Sequence, residues 1–220
     1  MAKKAAVVAV NPVNGMGLFQ YLETFFENKI PCTVFAVAES REIRTNSGIG
    51  LTADDVIANL KGHEEEYDAL VFACGDAVPV FAQHAGEPWN RDLMEVLKTF
   101  GETGKPMIGH CAAALLYDNL GIARGRRVAL HPFLKTVVRE CIPTDDKAVV
   151  DGNFYTAQTE NALSELMPQV LQALKQSCPS HRSAPVATIC GRGGAYSGRP
   201  ASLGHRVREA LDLAPCAARE

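Results

Sequence analysis

Two unbroken apolar runs, Ala5 to Val10 and Ala69 to Ala73, constrain this chain more than any other feature. A strand without polar alternation has only protein to face, so the first run predicts a strand covered on two sides, as in a parallel sheet, and the second reads as another strand. Helical periodicity lies between them. Leu18, Tyr21, Leu22, Phe25 and Phe26 fall on one stripe of a helix over 17–28, and Cys32 to Val37 reads as a second strand. Thr52-Ala53-Asp54-Asp55 supplies a cap and an acidic first turn for a short helix to Leu60. Cys74-Gly75-Asp76 ends the strand of residues 69–73, and Leu93, Val96, Leu97 and Phe100 mark a helix from about Trp89 to Phe100. Alternating strands and helices predict a doubly wound, mostly parallel α/β sheet with helices on both faces. Sites in such sheets lie beyond the carboxyl ends of the strands.

One such end is chemically pointed. Lys105 to His110 reads as a strand, Ala112 to Leu120 as a helix closed by Gly121, and Cys111 sits at the junction. Gly109 and three alanines permit a sharp turn and close strand–helix packing, which is what a nucleophile elbow requires. At a helix N-terminus unpaired amides favour thiolate over thiol. On this pattern alone two readings stand for Cys111: a reactive thiol, and a buried structural cysteine.

Downstream, Arg126 to Leu130 predicts a short strand ending at His131-Pro132, followed by a helix over Phe133 to Cys141. Asp151-Gly152 between two short apolar segments, 148–150 and 154–156, predicts a hairpin. A last helix runs from about Thr159 to Gln176.

Beyond this core the chain changes character. Residues 1–174 hold 15 Lys+Arg against 22 Asp+Glu, whereas 175–220 hold 7 against 3, giving −7 and +4. The segment 177–220 is rich in Ser, Pro, Gly, Arg and Ala, and is expected to be a basic, disordered tail appended to one domain of residues 1–176. Apolar spacing predicts one short helix within it, near Ser202 to Leu213. Its arginines are not interleaved with stacking aromatics, and the net charge of −3 is mildly acidic, so no nucleic-acid partner is expected. The seven cysteines (32, 74, 111, 141, 178, 190 and 216) are odd in number and form no CxxC pair, which argues for reduced thiols over a disulfide framework or a zinc site. Met1-Ala2-Lys3-Lys4 leads into an apolar run too short for a signal segment or a membrane span, so the expected location is cytoplasmic and no membrane is expected as a partner. Gly15-Met16-Gly17 is a lone G-x-G without the third glycine of a dinucleotide fingerprint. Glu64-Glu65-Glu66 reads as a solvated helix end.

Taken together, residues 4–175 resemble the ThiJ/PfpI superfamily, the flavodoxin-like, class I glutamine amidotransferase-like group that includes the parkinsonism-associated deglycase. Ile108 to Ala114 is similar to its elbow, and Val128-Ala129-Leu130-His131-Pro132 to the strand ending in its active-site His-Pro. Asp151 to Ala157 and Tyr67 to Phe72 resemble its hairpin before the final helix and its third strand. The resemblance implies Cys111 as nucleophile, His131 as proton manager, and the amides of Gly75 and Ala112 as an oxyanion site. Asp76, Cys74 and His110 are accessory candidates. Asp76 could orient His131 or hold a water, or could simply close its turn. His110, preceding the nucleophile on a strand, should leave the sheet on the face opposite Cys111.

Two departures stand out. Members carry a glutamate after the first strand that bonds the cysteine, and here Gly17 occupies its place; the paired glycine after the third strand is replaced by Cys74-Gly75. The resemblance implies a cofactor-independent hydrolase or lyase, glyoxalase/deglycase-like or isonitrile hydratase-like, acting on a small electrophilic carbonyl or nitrile-like substrate through a covalent Cys111 adduct. It implies no metal, and a homodimer. The alternative is a non-catalytic redox or stress-response protein with an oxidisable Cys111.

Overall fold

A computed structural model of the chain describes residues 3–175. The expected tail over 177–220, and the helix within it, lie outside the described residues. The elements, in order, are β1 (Ala5–Ala9), α1 (Gly15–Glu27), β2 (Cys32–Ala36), β3 (Glu42–Arg44), β4 (Gly50–Thr52), β5 (Asp55–Val56), β6 (Ala69–Ala73), α2 (Pro88–Thr103), β7 (Met107–His110), α3 (Ala113–Asn119), β8 (Arg127–Val128), β9 (Ile142–Pro143), β10 (Ala148–Asp151), β11 (Phe154–Ala157) and α4 (Leu163–Lys175).

Seven strands form one sheet in the order β10-β11-β7-β6-β1-β2-β5. Only β10 runs antiparallel to its neighbour, through the Asp151-Gly152 hairpin. All five residues of both β1 and β6 are buried, as unbroken apolar runs require. The chain goes from β1 outward to β2 and then returns to place β6 on the other side of β1. That reversal is the switch point of a doubly wound flavodoxin-like sheet, and it opens a crevice at the carboxyl ends of the strands.

Consecutive residues of β7 show how the layers are arranged. A Cβ on Gly109 would collide with the Cβ of Ala113 and approach the Tyr117 hydroxyl at 3.1 Å, so Gly109 faces α3. The next side chain, His110, meets Tyr21 of α1. Alternation along the strand therefore puts α3 and α1 on opposite faces, with α4 packed beside α1. No helix among the described residues is long and apolar enough to cross a membrane.

Two expected helices are absent, each for a visible reason. Residues 52–60 form a hairpin strand, then β5, then one 3-10 turn over Ile57–Asn59. Thr52 pairs with Glu42, and the Asp55 side chain accepts from its neighbour Val56 N at 2.8 Å, so Val56 extends beside β2. Residues 133–141 form only a 3-10 turn over Pro132–Leu134. There the buried Asp118 carboxylate accepts from the amides of Arg139, Glu140 and Cys141 at 3.0, 2.8 and 2.6 Å, which pins the segment as a loop. The Glu64–Glu66 run is a 3-10 turn whose first glutamate is buried, not a solvated helix end.

Candidate functional site

β6 and β7 pair in parallel with Leu70 opposite Met107, Val71 opposite Ile108 and Phe72 opposite Gly109. Continued two residues further, the same register sets Cys74 opposite Cys111. The site is built on this coincidence of two strand ends.

Cys111 has φ of 57°, the left-handed region that a side chain with a Cβ rarely adopts. Two backbone bonds hold it there: its amide donates to Ala157 O at 3.1 Å, and its carbonyl accepts from His131 N at 3.2 Å. The first bond comes from the neighbouring β11, the second from the segment after β8. The sharp turn leaves the thiol half-buried at the crevice, directly before α3.

Cys74 is 2% exposed, its thiol donates to Gly75 O at 4.0 Å, and it interacts with the Cys111 thiol. This interaction is the main reason the Cys111 thiol is lowered from its usual range, with the Ala112 amide adding to it. Burial acts the other way, and so do the carboxylates of Glu160 and Asp76. The thiolate is thus favoured by neutral dipoles against two negative charges. The Cys74 thiol shows the counterpart and is pushed well above its usual range, by the Cys111 interaction first and by burial second.

Gly75 follows Cys74, and its Cβ position is filled by backbone. A side chain there would collide with Pro12 O and come within 2.6 Å of Val13 Cα, so only glycine fits. The amides of Gly75 and Ala112 both face the Cys74 sulfur, and that of Ala112 also faces Cys111. Two amide donors beside a nucleophile are suited to an oxyanion.

His131 is carried to Cys111 by the backbone bond already described. Its Nδ1 accepts from Phe133 N at 3.4 Å, and its ring lies against that of Phe133 with centroids 5.1 Å apart. In the neutral ring, a bond accepted at Nδ1 places the proton on Nε2. His131 therefore presents a donor first, and acts as a base only when Nδ1 releases the Phe133 amide. Asp76 is exposed, its backbone N–H donates to Asn46 Oδ1 at 3.3 Å, and its side chain shows no hydrogen bond to His131 among the described residues.

His110 lies deep in the fold, 1% exposed, on the α1 face. Its Nδ1 is 3.2 Å from the Tyr21 hydroxyl, and its Nε2 has no partner among the described residues. Burial is the main cause that lowers its pKa to about 4, so the ring is neutral near pH 7. A Cβ on Gly17 would sit 2.6 Å from both Cε1 and Nε2 of this ring. The imidazole fills the space into which a residue-17 side chain would have to grow, which explains physically why this chain has glycine there.

Sequence reasoning missed Glu160 and Tyr21. Glu160 follows β11, and its charge acts on both His110 and Cys111. Its main-chain oxygen accepts from Gln20 Nε2 at 3.2 Å, tying this segment to α1. The signal was present, because residues just beyond the strand that pairs with the elbow strand must end beside the elbow. Among the described residues no three His, Cys, Asp or Glu gather as a metal ion would require.

The profile of the DJ-1/PfpI family matches residues 3–173. The protein ppBat of Bacteroides thetaiotaomicron is 63% identical over 175 residues, which cover 80% of this chain and all of that protein. A deglycase of Pyrococcus abyssi is 27% identical over 128 residues, 57% of this chain and 74% of the relative. Among solved structures, a candidate protease I from B. thetaiotaomicron superposes with TM-score 0.78 at 63% identity, covering 79% of this chain and all of the other. Drosophila melanogaster DJ-1beta superposes at 0.70 with 20% identity over 79% and 91% of the two chains, a likeness of fold.

Proposed function

The chain belongs to the DJ-1/PfpI family, and from that premise we propose that it is a cofactor-independent, cysteine-dependent hydrolase or lyase for a small electrophilic carbonyl or nitrile-like compound. One observation carries the reading: a half-buried thiol at φ 57°, biased toward thiolate by the Cys74 thiol and the Ala112 amide. Thiolate is the nucleophilic form, and a strained elbow exposes it to substrate. Attack by Cys111 gives a hemithioacetal, thioester or thioimidate. The amides of Gly75 and Ala112 take the developing negative charge, and His131 Nε2–H supplies the proton.

The P. abyssi relative is a deglycase, which puts deglycation and its α-oxoaldehyde parents first among activities to assay, ahead of isonitriles, esters and small amides. The free cysteines among the described residues fit a reducing compartment, and the reading places the protein in the cytoplasm. It also takes the chain as a homodimer.

The test compares wild type with Cys111→Ser and His131→Ala at equal folded concentration. Turnover should vanish in the first and fall about 10²–10⁴-fold in the second, the usual range for a proton-transfer residue. Intact-mass spectrometry should show the substrate adduct on Cys111. A substrate turned over equally by wild type and Cys111→Ser would refute covalent catalysis.

A further inference from the structure

The nucleophile has a second thiol for a neighbour, and covalent catalysis on a carbonyl does not require it. Cys74 and Cys111 occupy matching positions beyond Phe72 and Gly109 on adjacent parallel strands. Neighbouring strands lie about 4.8 Å apart, within the roughly 4.4–6.8 Å between Cα atoms that a disulfide spans. The two thiols influence each other's ionisation, and both are free. Cys111 is half-buried at the crevice and can meet a small oxidant, whereas Cys74 is 2% exposed and shielded from one.

We propose that Cys111 and Cys74 form a peroxide-reducing dithiol, in which Cys111 is the peroxide-reacting thiol and Cys74 resolves it as an intramolecular disulfide. Cys111 thiolate attacks one oxygen of hydrogen peroxide; the O–O bond breaks, the sulfur becomes a sulfenic acid, and hydroxide leaves. Cys74 sulfur then displaces the sulfenic oxygen. The S–S bond forms as the S–O bond breaks, and the Cys74 proton leaves with that oxygen as water. Each chain thereby reduces one peroxide and loses two thiol hydrogens, and a small dithiol restores both cysteines by exchange.

The ionisation of the pair fits this division of labour. Cys111 is the thiol shifted toward thiolate, and Cys74 the one held protonated until the sulfenic acid draws it in. Resolution by a neighbouring thiol should outrun a second oxidation, which would otherwise carry the sulfenic acid on to sulfinic acid. The inference stands apart from the carbonyl chemistry and survives if no carbonyl substrate is found.

The full chain is treated with a few molar equivalents of hydrogen peroxide, enough for both oxidations of a single unresolved thiol, then digested without reduction and mapped by mass spectrometry. Wild type should yield a linked peptide pair containing Cys74 and Cys111, two hydrogens lighter than the sum of its parts, and dithiothreitol should return both thiols. In Cys74→Ser and Cys74→Ala the same dose should leave Cys111 carrying two added oxygens that dithiothreitol cannot remove. Wild type with Cys111 doubly oxygenated and Cys74 still free would overturn the proposal, and so would a disulfide joining Cys111 to any other cysteine. The linked peptide is read in wild type, so the outcome does not depend on how well either variant folds.

Discussion

Gly17 and His110 act as one unit. The resemblance to the family flagged Gly17 as a missing acid, and sequence reasoning could go no further, because nothing in a linear pattern says what fills the gap left by an absent side chain. The structure fills it with the His110 ring, 2.6 Å from where a Cβ would stand. Alanine in a helix interior normally gains about 1 kcal/mol over glycine, yet Gly17→Ala should lose about 1–2 kcal/mol in urea unfolding, because overpacking a full site costs more. In a His110→Ala background the same change should be neutral or stabilising, a non-additivity that a double-mutant cycle will register. The neutral ring also sets a pH dependence. Its folded pKa, about 4, lies below the ordinary 6.5, so the unfolded chain binds the extra proton first. Stability from this group is complete above pH 6.5 and is lost as pH falls toward 4, by about 3 kcal/mol in all. His110→Gln should flatten that part of the stability–pH curve; a variant curve parallel to wild type would refute the assignment.

At the scale of elements, sequence periodicity located what depends on local pattern and missed what depends on a distant partner. The strands β1, β6 and β7, and the helices α1, α2, α3 and α4, stand within a few residues of expectation, because their apolar faces are written into consecutive residues. The segment 133–141 has helical composition, but its amides go to Asp118, some twenty positions upstream, and no local rule reveals that. Asp118→Ala should therefore cost about 3 kcal/mol, since three amides lose a charged acceptor. The loop after His131 should become the first site of limited proteolysis, and turnover should fall with it. Unchanged protease resistance would show that the loop holds itself. Gly75→Ala tests the strand end: its Cβ would collide with the main chain of Pro12 and Val13, so urea unfolding should show a loss of stability as the strand end shifts.

For the whole molecule, residues 3–173 gave their architecture readily, because a buried parallel sheet and a small-residue elbow leave few alternative folds. Association depends on a surface that a single chain does not complete. Met16, Phe19 and Phe26 stand exposed along α1, with Phe26 81% accessible, and the proposed homodimer would cover them. Light scattering at micromolar concentration should give about twice the 23.7 kDa of one chain, and Phe26→Glu should return it toward one; a wild-type monomer would reject the dimer. The opposition of dipoles and carboxylates at Cys111 has a consequence for the medium. Counter-ions screen charge over about 8–10 Å at ordinary ionic strength but leave a contact hydrogen bond nearly untouched. Added sodium chloride should weaken the repulsion from exposed Asp76 while the Cys74 and Ala112 interactions persist. Alkylation of Cys111 by uncharged iodoacetamide should then quicken with salt, and Asp76→Asn should start faster and respond less.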